Sequence, residues 1–190
     1  METRNVATGL SHGHRAFPEH AENAVKRALT KAGRERANAI LLFLTPEYAA
    51  NPEPALRAAA RAGGCLQVVG CTGAGILTES EWVLDSPGAA AMVLAGNMQL
   101  NIAPAAIRND EEMVLSLCTP AGLTADWLDV PARRIGAISS LEKLSVYSSL
   151  DNSGESGQLN AGCAPIEAGN TSSPRLSIRS VTSNSAPLTA

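Results

Sequence analysis

Ala39-Ile40-Leu41-Leu42-Phe43-Leu44 is the stretch on which the fold turns. Six apolar side chains follow one another with no polar alternation. A strand with one face in water alternates, and a helix needs a longer run. The stretch therefore reads as a short strand covered on both faces. Thr45-Pro46 ends it, because proline brings no N–H to a ladder. Upstream, Ala21, Ala24, Val25, Ala28, Leu29 and Ala32 recur at helical spacing and form one apolar stripe. Glu19 and Glu22 near its start, and Lys31, Arg34 and Arg36 near its end, suit the helix dipole. Downstream, Pro52 and Pro54 open a second helix that runs through Ala55 to Ala62 and stops at Gly63-Gly64. Leu66-Gln67-Val68-Val69-Gly70-Cys71 is the next strand.

Asn5 to Leu10 is a candidate first strand, and Ala89 to Ala95, Met113 to Cys118 and Arg134 to Ile138 are further ones. Strand, helix, strand, helix, strand predicts an α/β fold, with a mixed or mostly parallel sheet and flanking helices. The first 138 residues hold four serines and the last 52 hold thirteen. Apolar runs stop at the same place. The expected organisation is a folded domain over 1–139 and a Ser-rich, mostly disordered tail over 140–190. Leu141 to Leu150 keeps enough amphipathic character to dock weakly.

Composition removes several function classes. Of the 190 residues 45% are apolar but only 3% are aromatic, so the core is made of small side chains. The net charge of −3 comes with no basic patch and no aromatic stacking platform, which argues against nucleic acid. The longest apolar runs fall far short of a membrane span, and the residues after Met1 form no apolar leader, so a cytoplasmic location without membrane contact is expected. Cys65, Cys71, Cys118 and Cys163 show no metal-binding spacing; free thiols are expected, with no metal and no cofactor.

The chemistry is expected where the second apolar strand ends, in Val68-Val69-Gly70-Cys71-Thr72-Gly73-Ala74-Gly75-Ile76-Leu77-Thr78. Ligands in open α/β sheets bind beyond the carboxyl ends of strands, and glycines let backbone amides approach them, with positive φ expected at such turns. A tight turn that only satisfies backbone geometry is the plain alternative. The spacing is neither G-x-G-x-x-G nor a phosphate loop, so a nucleotide is not expected.

Gly70-Cys71-Thr72-Gly73-Ala74-Gly75-Ile76 resembles the GC(T/S)xAGxI signature of FIST N-terminal domains. Thr8-Gly9-Leu10-Ser11, Ile40 to Thr45, Ala89 to Leu94 and Ile135 to Ser139 resemble the family's other strands, in the same order, over about residues 3–139. The resemblance implies a non-catalytic sensory module that binds a small molecule, an amino acid being one candidate, and signals through a separate output protein. It makes Gly70, Cys71, Thr72, Gly73 and Gly75 the candidate ligand-binding residues and carries over no catalytic residue. The family continues beyond the strand at 135–139, whereas this chain enters its Ser-rich segment. A truncated family member, with a sheet edge left open to self-association, is therefore a further reading.

The rival function is a small enzyme using Cys71 as nucleophile in acyl or thiol chemistry, with His12, His14 or His20 brought in as base. His12 and His14 as metal ligands, and Glu79, Glu81 and Asp85 as an acid–base cluster, are weaker than the plain reading of solvated loops. Trp82 and Trp127 read as packing residues.

Overall fold

The computed structural model describes residues 3–102 and four later strands, Met113–Cys118, Arg133–Ile138, Val146–Ser148 and Arg175–Ser180. The chain runs β1 (Val6–His12), α1 (Glu19–Ala32), β2 (Ala39–Leu44), a single 3-10 turn at Pro46–Tyr48, α2 (Glu53–Gly63) and β3 (Val68–Thr72). A short hairpin follows, β4 (Ile76–Leu77) and β5 (Trp82–Val83), then β6 (Gly88–Leu94) and β7 (Met98–Ile102). The later strands are β8 (Met113–Cys118), β9 (Arg133–Ile138), β10 (Val146–Ser148) and β11 (Arg175–Ser180).

Both helices form where the apolar spacing places them. Pro18 supplies a backbone already in helical conformation ahead of α1, and the six-residue stripe read from the sequence is the buried face. Both helices end on a glycine in the left-handed conformation, Gly33 at φ 62° and Gly64 at φ 60°. After α1, the Gly33 and Arg34 N–H groups return to the Thr30 and Leu29 carbonyls, which closes the helix end.

The main sheet has the order β1-β6-β2-β3-β10. β1, β2 and β3 run in one direction; β6 enters between β1 and β2 and is antiparallel to both. β2 and β3 are a parallel pair joined through α2. The α/β class and flanking helices are as expected, with the mixed rather than the mostly parallel sheet. Sequence reasoning had no access to the insertion of β6, because it depends on pairing between residues some fifty positions apart. A second sheet has the order β7-β11-β8-β9. Within 140–190, β10 pairs with β3 and β11 with β7 and β8. The rest of that segment, Trp127 and the Cys118 and Cys163 side chains lie outside the described residues.

Two apolar layers flank the main sheet. On one side α1 and α2 pack onto Ile40, Leu42 and Leu44, with Val68, Ala89, Ala91 and Val93 beside them. The buried stripe of α1, four alanines with Val25 and Leu29, is small enough to bring the helix axis close. At Gly9 the approach is closest: a Cβ there would stand 2.3 Å from the Ala24 carbonyl oxygen. On the other side Leu41, Val69, Cys71 and Leu94 are covered by Leu100 of β7. Leu10 and Ala90 are covered by Ile76 and Val83 of the hairpin. β2 is thus buried on both faces, as its unbroken apolar run requires.

Candidate functional site

Three polar side chains are buried among the described residues: Ser11, Thr45 and Thr72. All three stand at the same edge of the sheet. Register places Ser11 opposite Ala89, Ala89 opposite Leu44 and Leu44 opposite Thr72, with Thr45 one step beyond Leu44. This edge is the carboxyl end of β1, β2 and β3, where ligands of open α/β sheets bind. A hydroxyl taken out of water needs a partner, so hydroxyls concentrated at one edge of an otherwise apolar core mark it as different from the rest. Thr45 Oγ1 accepts from the Gly88 N–H at 3.0 Å and donates back to the Gly88 carbonyl at 3.4 Å, tying the end of β2 to the start of β6.

The segment between β1 and α1 roofs this edge. The Tyr48 hydroxyl donates to the Phe17 carbonyl at 2.9 Å, and Gly13 N–H donates to the Pro87 carbonyl at 2.9 Å. Burial pushes the Tyr48 phenol well above its ordinary range, so it stays a donor across the accessible pH range. His20, in the first turn of α1, lies beside Ser11: Ser11 Oγ and His20 Nδ1 are 3.3 Å apart. The other ring nitrogen, Nε2, is 3.1 Å from the Arg15 carbonyl oxygen. A carbonyl only accepts, so Nε2 carries the hydrogen, and Nδ1 is left to accept from the Ser11 hydroxyl.

The five residues singled out by sequence do not form one loop. Gly70, Cys71 and Thr72 are consecutive residues of β3, and all three are buried. Their faces alternate: Gly70 and Thr72 lie on the helix side, while Cys71 joins the opposite apolar layer with Leu41 and Val69. Thr72, Gly73 and Gly75 reach the carboxyl edge. Gly73 and Gly75 do not have the positive φ expected of them; among the described residues only Gly33, Gly64 and Gly96 do. A Cβ at Gly73 would meet only the Gly75 carbonyl, at 3.2 Å, whereas one at Gly75 would collide with Leu84 at 2.4 Å. Packing against the Leu84 side chain, rather than turn geometry, is what favours a small residue at 75.

Cys71 has no histidine within reach. His20 is anchored to Ser11 on β1, and β6 and β2 separate β1 from β3, three strand spacings or about 14 Å. His12 and His14 are exposed, and among the described residues no three His, Cys, Asp or Glu side chains gather as metal ligands. Glu79 does not form a cluster with Glu81 and Asp85. It bonds to the Thr8 hydroxyl and, at 2.9 Å, to Lys31, and the Lys31 ammonium holds its carboxyl below the usual range. Trp82 is not a packing residue: it pairs with Leu77 across the hairpin, and the two are 71% and 74% exposed.

Cys65 gives a measurable consequence. Burial pushes its thiol up to about 11. At pH 8 its thiolate fraction is then about 100-fold below that of an ordinary thiol. Iodoacetamide should alkylate it correspondingly slowly in the folded chain and at the ordinary rate in urea, read by peptide mass spectrometry. The folded state holds this proton more tightly than the unfolded state. The stabilisation is therefore complete below about pH 9 and lost as pH rises towards 11.

His20 was weighed only as a base for Cys71; its pairing with Ser11 was missed by sequence reasoning because nine residues and a turn separate them. A local signal exists nonetheless: Gly9-Leu10-Ser11-His12-Gly13 has the G-x-S-x-G spacing. Compared with known proteins, the chain matches no family model and no curated protein.

Proposed function

We propose that the chain is a small-molecule-binding sensory module of the FIST N-terminal type, acting in intracellular signal transduction. The observation that carries this reading is the gathering of Ser11, Thr45 and Thr72 at the carboxyl edge of the sheet. The Gly-Cys-Thr-Gly resemblance supports it from the sequence side, since Thr72, Gly73 and Gly75 stand at that same edge. A small polar ligand with hydrogen-bonding groups, such as an amino acid, suits such an edge. The reading brings with it a cytoplasmic location and a separate output protein. It also includes self-association through β9, which has one strand neighbour, β8, among the described strands. Among the described residues no helix is long and apolar enough to cross a membrane.

A thermal-shift screen of amino acids, organic acids and nucleotides tests the reading. A true ligand at 100 times its Kd stabilises the fold by about 2.7 kcal/mol, a shift of several degrees for a domain of this size. Thr72→Val should abolish that shift, with a circular-dichroism melt establishing that the variant is folded. A screen without a single stabilising compound, or a Thr72→Val chain that binds like the parent in calorimetry, overturns it.

A further inference from the structure

We infer that Ser11 is an activated nucleophile, with His20 as its base, and that it accepts short acyl groups from esters. The inference goes beyond ligand binding and does not rest on it. It starts from the hydrogen-bond chain Ser11 Oγ to His20 Nδ1 at 3.3 Å and His20 Nε2 to the Arg15 carbonyl at 3.1 Å. The carbonyl fixes the tautomer that leaves Nδ1 basic and aimed at the serine hydroxyl. This is the nucleophile–base–orienter order of hydrolytic serines, with a backbone carbonyl in the orienting place.

The flanking glycines support the assignment for separate reasons. A Cβ at Gly9 would run into the α1 backbone, at 2.3 Å from Ala24 O and 2.7 Å from Ala28 N. A Cβ at Gly13 would run into the imidazole itself, at 2.8 Å from His20 Cε1. The first glycine lets the helix come down onto the strand; the second lets the ring sit over the serine's turn. Both are needed for this pair to meet. Ser11 differs from the strained elbow serine in one respect: it keeps strand geometry, since no described non-glycine residue has positive φ. Ser11 is 6% exposed, so the acyl group inferred for it is a short one.

The step balances without a further reagent. Ser11 Oγ attacks the ester carbonyl carbon, and its proton passes to His20 Nδ1. The C–O bond to the alcohol breaks, and the alcohol leaves with that proton. Water then attacks the acyl-serine, with His20 again taking and returning one proton, to give the carboxylic acid and free Ser11.

The test uses the full chain, p-nitrophenyl acetate and a fluorophosphonate probe. Hydrolysis above the buffer rate is expected, with acetyl and phosphonyl groups mapped to the tryptic peptide that holds Ser11. Ser11→Ala and His20→Asn should each lower the rate by 100-fold or more. Circular-dichroism melts establish that the variants are folded. If either variant unfolds, the label map of the parent chain decides by itself. Absence of label on Ser11, or a folded Ser11→Ala chain that keeps its rate, overturns the proposal. Labelled Ser11 in a chain that no screened ligand stabilises would uphold the nucleophile and remove the binding reading.

Discussion

Gly9→Ala should destabilise the chain by about 3 kcal/mol, at the upper end of what overpacking costs. One methyl group is added, yet it has no room: besides Ala24 O and Ala28 N, Arg27 Cβ would lie 2.9 Å away. Two of these three atoms are helix backbone, so no rotamer change relieves the contact, and α1 must lift from β1 as a body. Lifting α1 also separates His20 from Ser11. Chemical denaturation should show a lower midpoint at an unchanged slope, and any Ser11 labelling should fall with it. Gly73→Ala is the matched control. Its methyl would meet a single carbonyl oxygen at 3.2 Å, so a change below about 0.5 kcal/mol is expected. Equal effects at the two positions would contradict the close approach of α1 at Gly9.

Leu42→Ala is the second large effect, a loss of about 2–5 kcal/mol. Leu42 is fully buried in the helix-facing layer, at the centre of the central strand, opposite Ala91 on one side and Gly70 on the other. Neither ladder neighbour is large enough to reach the void, so relaxation has to come from the larger side chains of the helix-facing layer. Leu66→Ala, at a position 63% exposed, should change stability by a few tenths of a kcal/mol in the same denaturation experiment. A Leu42→Ala cost below about 1 kcal/mol would mean that the helices do not seal this side of the sheet.

The elements that local physics determines were legible in the sequence. The bounds of β2 and the buried face of α1 follow from runs and spacings a few residues long. So does the glycine stop at 64, where a left-handed residue ends α2; the matching stop at Gly33 was not read. Legibility ended where distant residues choose partners. Nothing local says that Ala91 meets both Gly9 and Leu42, and so nothing local says that β1 and β2 stand apart. Ile76 and Val83 are short apolar stubs in a polar stretch, and they become strands only because each closes on Leu10 and Ala90. The Gly-Cys-Thr motif leads to the carboxyl edge of the sheet, but its cysteine points into the opposite layer. The Ser11–His20 pair depends on how the turn at 13–18 folds back, which no periodicity encodes.

The central place of β6 also sets an order of events during synthesis. β2, α2 and β3 are contiguous in the chain and complete their own parallel pair, so they can associate as soon as residue 72 is made. β1 and α1 emerge first yet must wait, because every ladder bond of β1 goes to β6 and none to β2. Until residue 94 has left the ribosome, the apolar stripe of α1 has only a partial seat. The β1–α1 segment is thus the part that waits longest for its partners, with the apolar stripe of α1 open to aggregation meanwhile.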